Sequence, residues 1–452
     1  MSASSDSSFE ATNTRFLQWL HDHSATISSK IAFKNYSNEG AGRGVVALED
    51  IEEGELLFAI PRSILLSQYT SDLSKIESVR AELNSLKGWN PLILSMLYES
   101  QREDSKWKPY FEILPKSFST PIFWSDEDLR ELEGTSAHPD IFSPTIHTLS
   151  LFHTCGSLIM AYSFEDEPYL PSSPSEPDSD SDSDIPNVVI TMVPLADMLN
   201  HRTGHNNARL FYEPEQLEMR ATKAIATGTQ VYNTYGDRPN SDLLRRYGFV
   251  DEVNDHDSVE ISGELVVEVS CGEEEAKEQK VGIGLGVVEG GYESSYFVFD
   301  TTGDTPPALI VTALPTLPLC SGILLVKVLA MSATEFGASQ RSATLPKSDM
   351  TPAVRDMLLE ILQRRMATYR ISVEDDVAIL AALPASDPAT LNRRNAVMVR
   401  LGEKRVLNRA VVKLRAWEPE PKRRKEKRQA WSGNAGKEGR EKGGEGKKRK
   451  VV

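Results

Sequence analysis

Cysteine is scarce in this sequence of 452 residues, and the three present are Cys155, Cys271 and Cys320. An odd number of widely separated cysteines argues against a disulfide framework and is typical of a reducing compartment, the cytosol or the nucleus. No two of them have the C-x-x-C spacing on which thiolate zinc sites are built. The cysteine pattern therefore predicts a reduced protein, and we expect no metal in its site.

Long hydrophobic runs are also missing, although apolar residues make up 40% of the chain, an ordinary share for a globular protein. The run Leu92–Leu97 is far shorter than the roughly 20 apolar residues of a transmembrane helix. The first residues, Met-Ser-Ala-Ser-Ser-Asp, lack the basic and apolar segments of a secretory signal. We therefore expect a soluble chain with two folded domains and no association with a membrane.

Positive charge is in deficit overall, with a net charge of −16, yet it is concentrated at one end. Residues 421–450 hold 13 Lys+Arg against 4 Glu, so the remainder of the chain carries about −25. An acidic body attracts a basic partner and repels nucleic acid. The charge distribution favours a basic protein substrate, and an effect on solubility alone is the alternative.

The order of predicted elements indicates an α+β protein. Residues 1–13 are serine-rich and are predicted to be disordered, and the first domain is predicted at 14–257. A mainly helical second domain is predicted at 258–416, followed by a disordered basic tail at 417–452.

Hydrophobic periodicity gives the finer predictions. The first domain is predicted to begin with a helix at Arg15–His23, to contain a helical insert at about 68–165 and to continue into an acidic disordered loop at 167–186. Its predicted strands lie at 44–48, 55–60, 188–193, 208–212, 217–221 and 229–233, with a hairpin turn at Glu53-Gly54 between the first two. In the second domain, strands at 259–261, 265–269 and 296–299 precede helices that open at Thr351-Pro352, Ser372 and Asn395.

Three separated clusters contain residues suited to binding or catalysis. They are Glu39-Gly-Ala-Gly-Arg-Gly44, Ala196-Asp-Met-Leu-Asn-His201, and Tyr232-Asn-Thr-Tyr-Gly236 with Tyr247-Gly-Phe249. The first is a glycine-rich turn that lets the backbone approach a ligand, but it lacks the P-loop and dinucleotide patterns. Asn200 and His201 offer donors and acceptors for an amino acid or a nucleoside. Taken singly, each cluster has a purely structural alternative: a hairpin, a hydrogen-bonded turn and a core aromatic.

A metal site is a further alternative for the second cluster. Asp197, His201 and His205 are ligand types at intervals of four residues, but Arg202 stands where the metalloprotease signature H-E-x-x-H needs glutamate. The residue pattern leaves this alternative weaker than a site for an organic cofactor.

Together and in this order, the clusters resemble the SET-domain lysine methyltransferases of the Rubisco large-subunit methyltransferase branch. The most similar stretches are Trp107-Lys-Pro-Tyr-Phe-Glu-Ile-Leu-Pro115, Met160-Ala-Tyr-Ser-Phe164 and Val193-Pro-Leu-Ala-Asp-Met-Leu-Asn-His201. They are closest to the subfamily of SET domain-containing protein 6 and the fungal ribosomal lysine methyltransferase 4. The resemblance implies a SET β-fold with a helical insert, followed by a helical substrate-binding domain.

The resemblance also implies the roles of individual residues. Ala41, Gly42 and Arg43 would wrap the methionine part of S-adenosylmethionine, and Asn200 with His201 would hold its adenine and ribose. Tyr235 matches the tyrosine at the methyl-transfer centre, and Tyr247 matches the tyrosine beside the cofactor and the lysine channel. Tyr162 would line the cofactor cleft and Trp89 the substrate cleft.

The function implied by the resemblance is methylation of a protein lysine with S-adenosylmethionine as the cofactor. The substrate would be a ribosomal protein, with the large-subunit protein L42 as the single best candidate. A non-ribosomal nuclear protein, a histidine target and a non-catalytic adaptor remain alternatives. The basic runs Lys422–Arg428 and Lys447–Lys450 predict nuclear localisation, with contact to nucleic acid as the alternative.

Overall fold

The protein's structure is a computed structural model that describes residues 2–37, 41–137, 150–166, 189–271, 296–300, 308–311, 322–342, 347, 349–384, 387 and 389–419. Helices α1 to α13 lie at Ser2–Asp22, Glu77–Ser85, Asn90–Ser100, Lys108–Ile113, Asp126–Arg130, Ser150–Tyr162, Asn240–Tyr247, Gly263–Ser270, Gly322–Leu329, Ala333–Ser342, Pro352–Met366, Val373–Ala382 and Leu391–Ala416. Strands β1 to β12 lie at Thr26–Ile27, Ile31–Asn35, Arg43–Ala47, Leu56–Pro61, Ser163–Asp166, Val189–Met192, Ala208–Tyr212, Gln216–Ala221, Gln230–Val231, Val259–Ser262, Tyr296–Asp300 and Ala308–Val311. The acidic loop predicted at 167–186 falls outside the described residues.

The strands form small antiparallel sheets with the orders β1-β4-β8-β7, β2-β3-β9, β5-β6 and β10-β11-β12. β3 and β4 flank the turn at Glu53-Gly54 but lie in different sheets, so the predicted hairpin is wrong. Gly54 does reverse the chain, with a φ of 84°. A turn sequence fixes only a local reversal, whereas each of these strands has a continuous buried stretch and takes a central position in its own sheet.

Helix α1 covers the first residues, and the disorder predicted for residues 1–13 is therefore wrong. The helix is held by partners that lie far away in the sequence. Asn13 is buried, and its side-chain oxygen accepts a hydrogen bond of 3.0 Å from Arg43 Nε. Phe16 and Trp19 are buried against an aromatic ring of α4. A serine-rich composition could not reveal these tertiary contacts.

The main hydrophobic core joins α1, α3, α4 and α6 to the sheets of the first domain. Within the predicted helical insert, Pro91 stands in the first turn of α3, and Ser125 caps α5. Trp107 and Tyr110 are fully buried, and Trp107 Nε1 donates to the carbonyl of Ile64. The end of α4 lies beside the glycine-rich turn, because the carbonyl of Ile113 accepts a hydrogen bond from Arg43.

A second core lies among α8, α9, α11 and α13. The strand predicted at 265–269 is wrong, because this segment lies in α8. Ser262 caps that helix by accepting a hydrogen bond from the amide of Leu265, and Val266 and Val267 are buried. Valine-rich composition predicted a strand, whereas the cap and the packing against α11 favour a helix. The helix starts predicted at Thr351-Pro352 and Ser372 are confirmed.

The C-terminal helices also bury a group of charged side chains, called here the C-terminal charged cluster: Arg365, Asp376, Arg400, Glu403 and Lys404. Asp376 accepts hydrogen bonds from Arg400 and from Lys404, and Glu403 accepts from Arg365. The backbone at 131–136 joins this cluster, because the carbonyl of Glu131 accepts from Arg400. Residues Met1–Trp417 form one compact unit, and the boundary placed between residues 257 and 258 stays a prediction. No described helix is both long and apolar enough to span a membrane.

Candidate functional site

The three sequence clusters meet at one cavity of about 570 Å³, a volume typical of small-molecule sites. Its walls come from the glycine-rich turn, the segment after α4, the end of α6, the Asn-His segment, the residues after β9 and the segment after α7. The predicted site residues that line it are Ala41, Gly42, Arg43, Tyr162, Asn200, His201, Tyr235 and Tyr247. Trp89 does not line it. It stands 37% exposed at the N-cap of α3, and its contact with substrate stays a prediction.

The glycine-rich turn is held tightly against the Asn-His segment. Gly42 has a φ of 68°, a conformation that glycine adopts without strain. A Cβ at Gly44 would overlap Gln230 Nε2 and come within 2.7 Å of Asn200 Nδ2. Asn200 Nδ2 donates a hydrogen bond of 3.2 Å to the carbonyl of Arg43. Gly44 therefore permits the close approach of two chain segments that lie far apart in the sequence.

His201 has its ring orientation fixed by two neighbours. The amide of Tyr235 donates to His201 Nδ1 at 3.1 Å, so Nδ1 is the acceptor and Nε2 carries the hydrogen. Nε2 lies 4.0 Å from a carboxylate oxygen of Asp251. Burial lowers the pKa of His201, and Asp251 opposes that effect. His201 is thus a neutral donor beside the cavity.

Asp197, His201 and His205 do not form a metal-binding group, and no cluster of three potential ligands occurs in the described part of the chain. His201 Nδ1 is already occupied by the amide of Tyr235.

An aromatic wall closes one side of the cavity. The rings of Tyr235 and Tyr247 have centroids 4.5 Å apart, and His201 stacks on Tyr235 at 5.1 Å. Phe249 completes the group at 6.2 Å from Tyr247. An ammonium ion that enters this wall would lose its water without gaining a counter-charge, and that desolvation favours the neutral amine.

The hydroxyl of Tyr235 donates a hydrogen bond of 2.9 Å to the carbonyl of Leu199. Burial raises the pKa of Tyr235 well above its ordinary value, and Tyr162 and Tyr247 add to the shift. The phenol therefore stays protonated across the physiological range. Its oxygen retains lone pairs for a ligand, while its proton is held by the backbone.

Asp197 is a site residue whose part in this cavity the sequence analysis did not identify. The hydroxyl of Tyr110 donates to Asp197 Oδ2, while Oδ1 is buried without a hydrogen-bond partner. Burial raises the pKa of Asp197 to about 7, against the opposing effects of Tyr110, of the nearby backbone amides of Asp197 and Leu195, and of Arg43. The signal available in the sequence was an acid inside the apolar run Val193–Leu199. Such an acid needs a partner, which here lies 87 residues away.

The segment after α4 was also missed as part of the site. Ile113, Leu114 and Pro115 line the cavity, together with Ser117, Phe118, Ser119 and Thr120. Gly248 caps α7 in the left-handed region, and a Cβ there would come within 2.7 Å of the Ser119 backbone. Close backbone packing thus brings the end of α7 to this wall.

Comparison with known proteins identifies the fold and the family. The SET domain model matches residues 42–236, and the model of the Rubisco LSMT substrate-binding domain matches residues 323–407. The chain is 30% identical over 444 residues to the N-lysine methyltransferase SETD6 of Bos taurus, across 87% of this chain and 93% of that protein. The Danio rerio protein of that name is also 30% identical, over 454 residues, with the same two coverages. This chain belongs to the SET-domain N-lysine methyltransferases.

The methyltransferase fold is also seen in a solved structure of the SET domain of LSMT bound to lysine and AdoHcy. That structure matches with a TM-score of 0.62 at 19% identity, over 90% of this chain and 91% of that one. Rubisco LSMT bound to AdoMet matches with the same TM-score at 20% identity, over 89% and 91% of the two chains. The SET fold with a helical insert and a helical C-terminal region, expected from the sequence, is confirmed.

The cavity of this methyltransferase fits S-adenosylmethionine, the methyl donor of SET enzymes. Two buried polar atoms on its wall, Asp197 Oδ1 and Gln230 Nε2, have no hydrogen-bond partner among the residues that the structure describes. Buried polar atoms are nearly always paired, so unpaired ones on a cavity wall indicate a polar ligand. The cofactor carries such polar groups in its amino acid, ribose and adenine.

Proposed function

We propose that this lysine methyltransferase modifies a ribosomal protein, with the large-subunit protein L42 as its substrate. Two observations support the proposal: the resemblance of the site motifs to the ribosomal branch, and a net charge near −25 outside the tail. Ribosomal proteins are basic, and a negative enzyme surface attracts a basic substrate. A protein substrate is also what the match to a substrate-binding domain at residues 323–407 indicates.

The observation that carries the proposed chemistry is the Tyr235–Tyr247 pair above the Asn-His segment, with ring centroids 4.5 Å apart. A lysine amine is a nucleophile only when it is neutral, and its ordinary pKa is about 10.4. A channel lined by these rings excludes water and lowers the pKa of an entering lysine. The two tyrosines therefore favour the reactive, uncharged amine.

The cofactor, when bound, supplies a methyl group already activated for transfer. Ala41, Gly42 and Arg43 hold its amino-acid end, and Asn200 and His201 hold its adenine and ribose. These segments are already fixed to each other by the bond from Asn200 to the Arg43 carbonyl. The residues thus position both reactants in advance, and positioning supplies most of the acceleration in a displacement of this kind.

Tyr235 orients the amine through its oxygen. The Tyr235 hydroxyl donates its hydrogen bond to the carbonyl of Leu199. The lone pairs of the phenolic oxygen therefore remain available to a donor N–H or a polarised methyl group. The raised pKa of Tyr235 means that this hydroxyl needs no ionisation to act. Its predicted role is alignment and electrostatic stabilisation.

The test is transfer of labelled methyl from S-adenosylmethionine to purified large-subunit ribosomal proteins, with histones alongside. We expect label on one large-subunit protein, and a loss on the order of 10²-fold in Tyr235→Phe. Cofactor affinity in the variant stays near wild type, because Phe keeps the ring. Label on histones alone, or on neither set, contradicts the ribosomal assignment. A loss of cofactor affinity as large as the loss of rate contradicts the catalytic role of Tyr235.

Nuclear localisation is a second part of the proposal. The support is the pair of basic runs Lys422–Arg428 and Lys447–Lys450, which resemble import signals. Deleting 419–452 from a fluorescent fusion should move the protein out of the nucleus while methylation in vitro is retained. An unchanged distribution contradicts the import role, and a loss of activity points to a contact with nucleic acid or substrate.

A further inference from the structure

Arg43 joins helix α1 to two walls of the cavity. Its Nε donates to Asn13 Oδ1 of α1 at 3.0 Å, and its Nη1 donates to the carbonyl of Ile113, the last residue of α4, at 2.8 Å. Its own backbone carbonyl accepts from Asn200 Nδ2 at 3.2 Å. One residue thus connects the N-terminal helix, the end of α4 and the Asn-His segment.

The guanidinium of Arg43 is also enclosed by aromatic rings. Its central carbon lies 4.8 Å from the centroid of Phe9 and 5.9 Å from that of Phe33. A guanidinium over aromatic faces gains from their negative quadrupole, and more so where water is excluded. The rings and the two acceptors together fix the side chain in one orientation.

Asn13 is an unusual residue for its place in α1. It lies on the same helix face as Phe9, Phe16 and Leu20, and only 4% of its surface is exposed. Asparagine is a poor helix former, and a buried amide costs stability unless it is hydrogen-bonded. Its oxygen is directed to Arg43. The hydrogen bond with Arg43 therefore explains why a polar residue stands on this apolar face.

We propose that helix α1 is part of the cofactor site, and that Asn13 is a positioning residue that acts through Arg43. With its side chain fixed by α1 and its carbonyl fixed by Asn200, Arg43 presents the turn at 41–43 in a preformed conformation. Preformed sites bind their ligands more tightly because the protein loses less conformational entropy on binding. This inference rests on the proposed contact of Ala41, Gly42 and Arg43 with S-adenosylmethionine.

The test is the Kd of S-adenosylmethionine for the full chain, measured by titration calorimetry. Asn13→Leu keeps the volume and removes the acceptor, and we expect about a tenfold higher Kd, the equivalent of one charge-assisted hydrogen bond. Asn13→Asp restores an acceptor for Arg43 and should remain within about twofold of wild type. The KM for the protein substrate and kcat at saturating cofactor should change little, since the lysine channel is untouched.

The matched control is Arg15→Leu on the same helix. Arg15 Nε donates to Glu112 of α4 at 3.0 Å on an exposed surface and does not contact Arg43. Arg15→Leu should leave the Kd of S-adenosylmethionine unchanged. Equal Kd increases in Arg15→Leu and Asn13→Leu, or no increase in Asn13→Leu, overturn the inference. If Asn13→Leu does not fold, Phe9→Ala near the helix start replaces it, with the same expected direction.

Asn200→Ala separates this inference from the proposed site itself. If Asn200→Ala weakens binding of S-adenosylmethionine and Asn13→Leu does not, only the role of α1 is contradicted. If Asn200→Ala also leaves the Kd unchanged, the proposed position of the cofactor is wrong.

Discussion

The cavity and the C-terminal charged cluster both bury ionisable side chains, but they differ in how completely those groups are paired. Asp376 is wholly buried, yet it receives hydrogen bonds from Arg400 and Lys404. Asp197 is 5% exposed, and its Oδ1 has no hydrogen-bond partner. Among the five side chains that define the cluster, no buried nitrogen or oxygen lacks a partner.

This difference separates a structural group from a functional one. A buried ion pair with every hydrogen bond made holds helices in one arrangement and offers nothing to a ligand. Unpaired polar atoms beside an open volume leave a free-energy cost that a bound polar group can remove. A search for buried charged side chains alone would have selected the C-terminal charged cluster, and not the cavity, as the candidate site.

The largest effect is expected from Asp376→Ala. Removing this carboxylate leaves Arg400 and Lys404 buried without their counter-charge, and should lower the free energy of unfolding by about 3–5 kcal/mol. Urea denaturation measures the loss. The Kd of S-adenosylmethionine for the folded protein should be unchanged. A loss below about 1 kcal/mol would show that the C-terminal charged cluster contributes little to stability. A higher Kd in the folded variant would show that the cluster also contributes to cofactor binding.

A smaller effect is expected from Gly44→Ala in the cavity wall. The new methyl group would overlap Gln230 Nε2 and press on Asn200 Nδ2, at a cost of about 1–3 kcal/mol in cofactor binding and packing. Calorimetric titration with S-adenosylmethionine should show a Kd at least tenfold higher. Gly156→Ala in α6, where the methyl group meets nothing within 4 Å, is the control. Equal affinities for the two variants would contradict the close fit inferred for Gly44.

The third prediction concerns pH. Burial raises the pKa of Asp197 from 3.8 to about 7, so between these values the folded protein keeps a proton that the unfolded chain has released. The stability contributed by this group is present below pH 3.8 and is lost as the pH rises towards 7. The slope is at most about 1.4 kcal/mol per pH unit.

Asp197→Asn should remove that slope. Unfolding in urea from pH 5 to pH 8 then gives a difference between the variant and wild type that grows up to about pH 7 and is constant above it. Parallel curves over the whole range would mean that Asp197 is already ionised in the folded protein. In that case the carboxylate would resemble the paired Asp376 of the C-terminal charged cluster.

The sequence predicted correctly those features that depend only on residues close together in the chain. The N-caps Thr351 and Ser372 were predicted because a cap needs only a side-chain acceptor and the amide three residues later. The strand at Ala208–Tyr212 was predicted with the bounds that it has. Local rules failed at α8, where valines predicted a strand, and at the turn after β3, where the partner strands lie elsewhere.

The sequence by itself determined the family and eight of the residues that line the cavity, because most of these residues lie in or beside the short, contiguous motifs Gly-Arg-Gly, Asn-His and Tyr-Gly. Only the tertiary structure showed that Asn13 holds Arg43, that Tyr110 pairs with Asp197, and that residues 113–120 form a wall. Each of these contacts joins residues 30 or more positions apart, or depends on packing between helices. Their physical origin is burial: a polar group removed from water takes whichever partner the fold brings within reach, and no local pattern records which one that is.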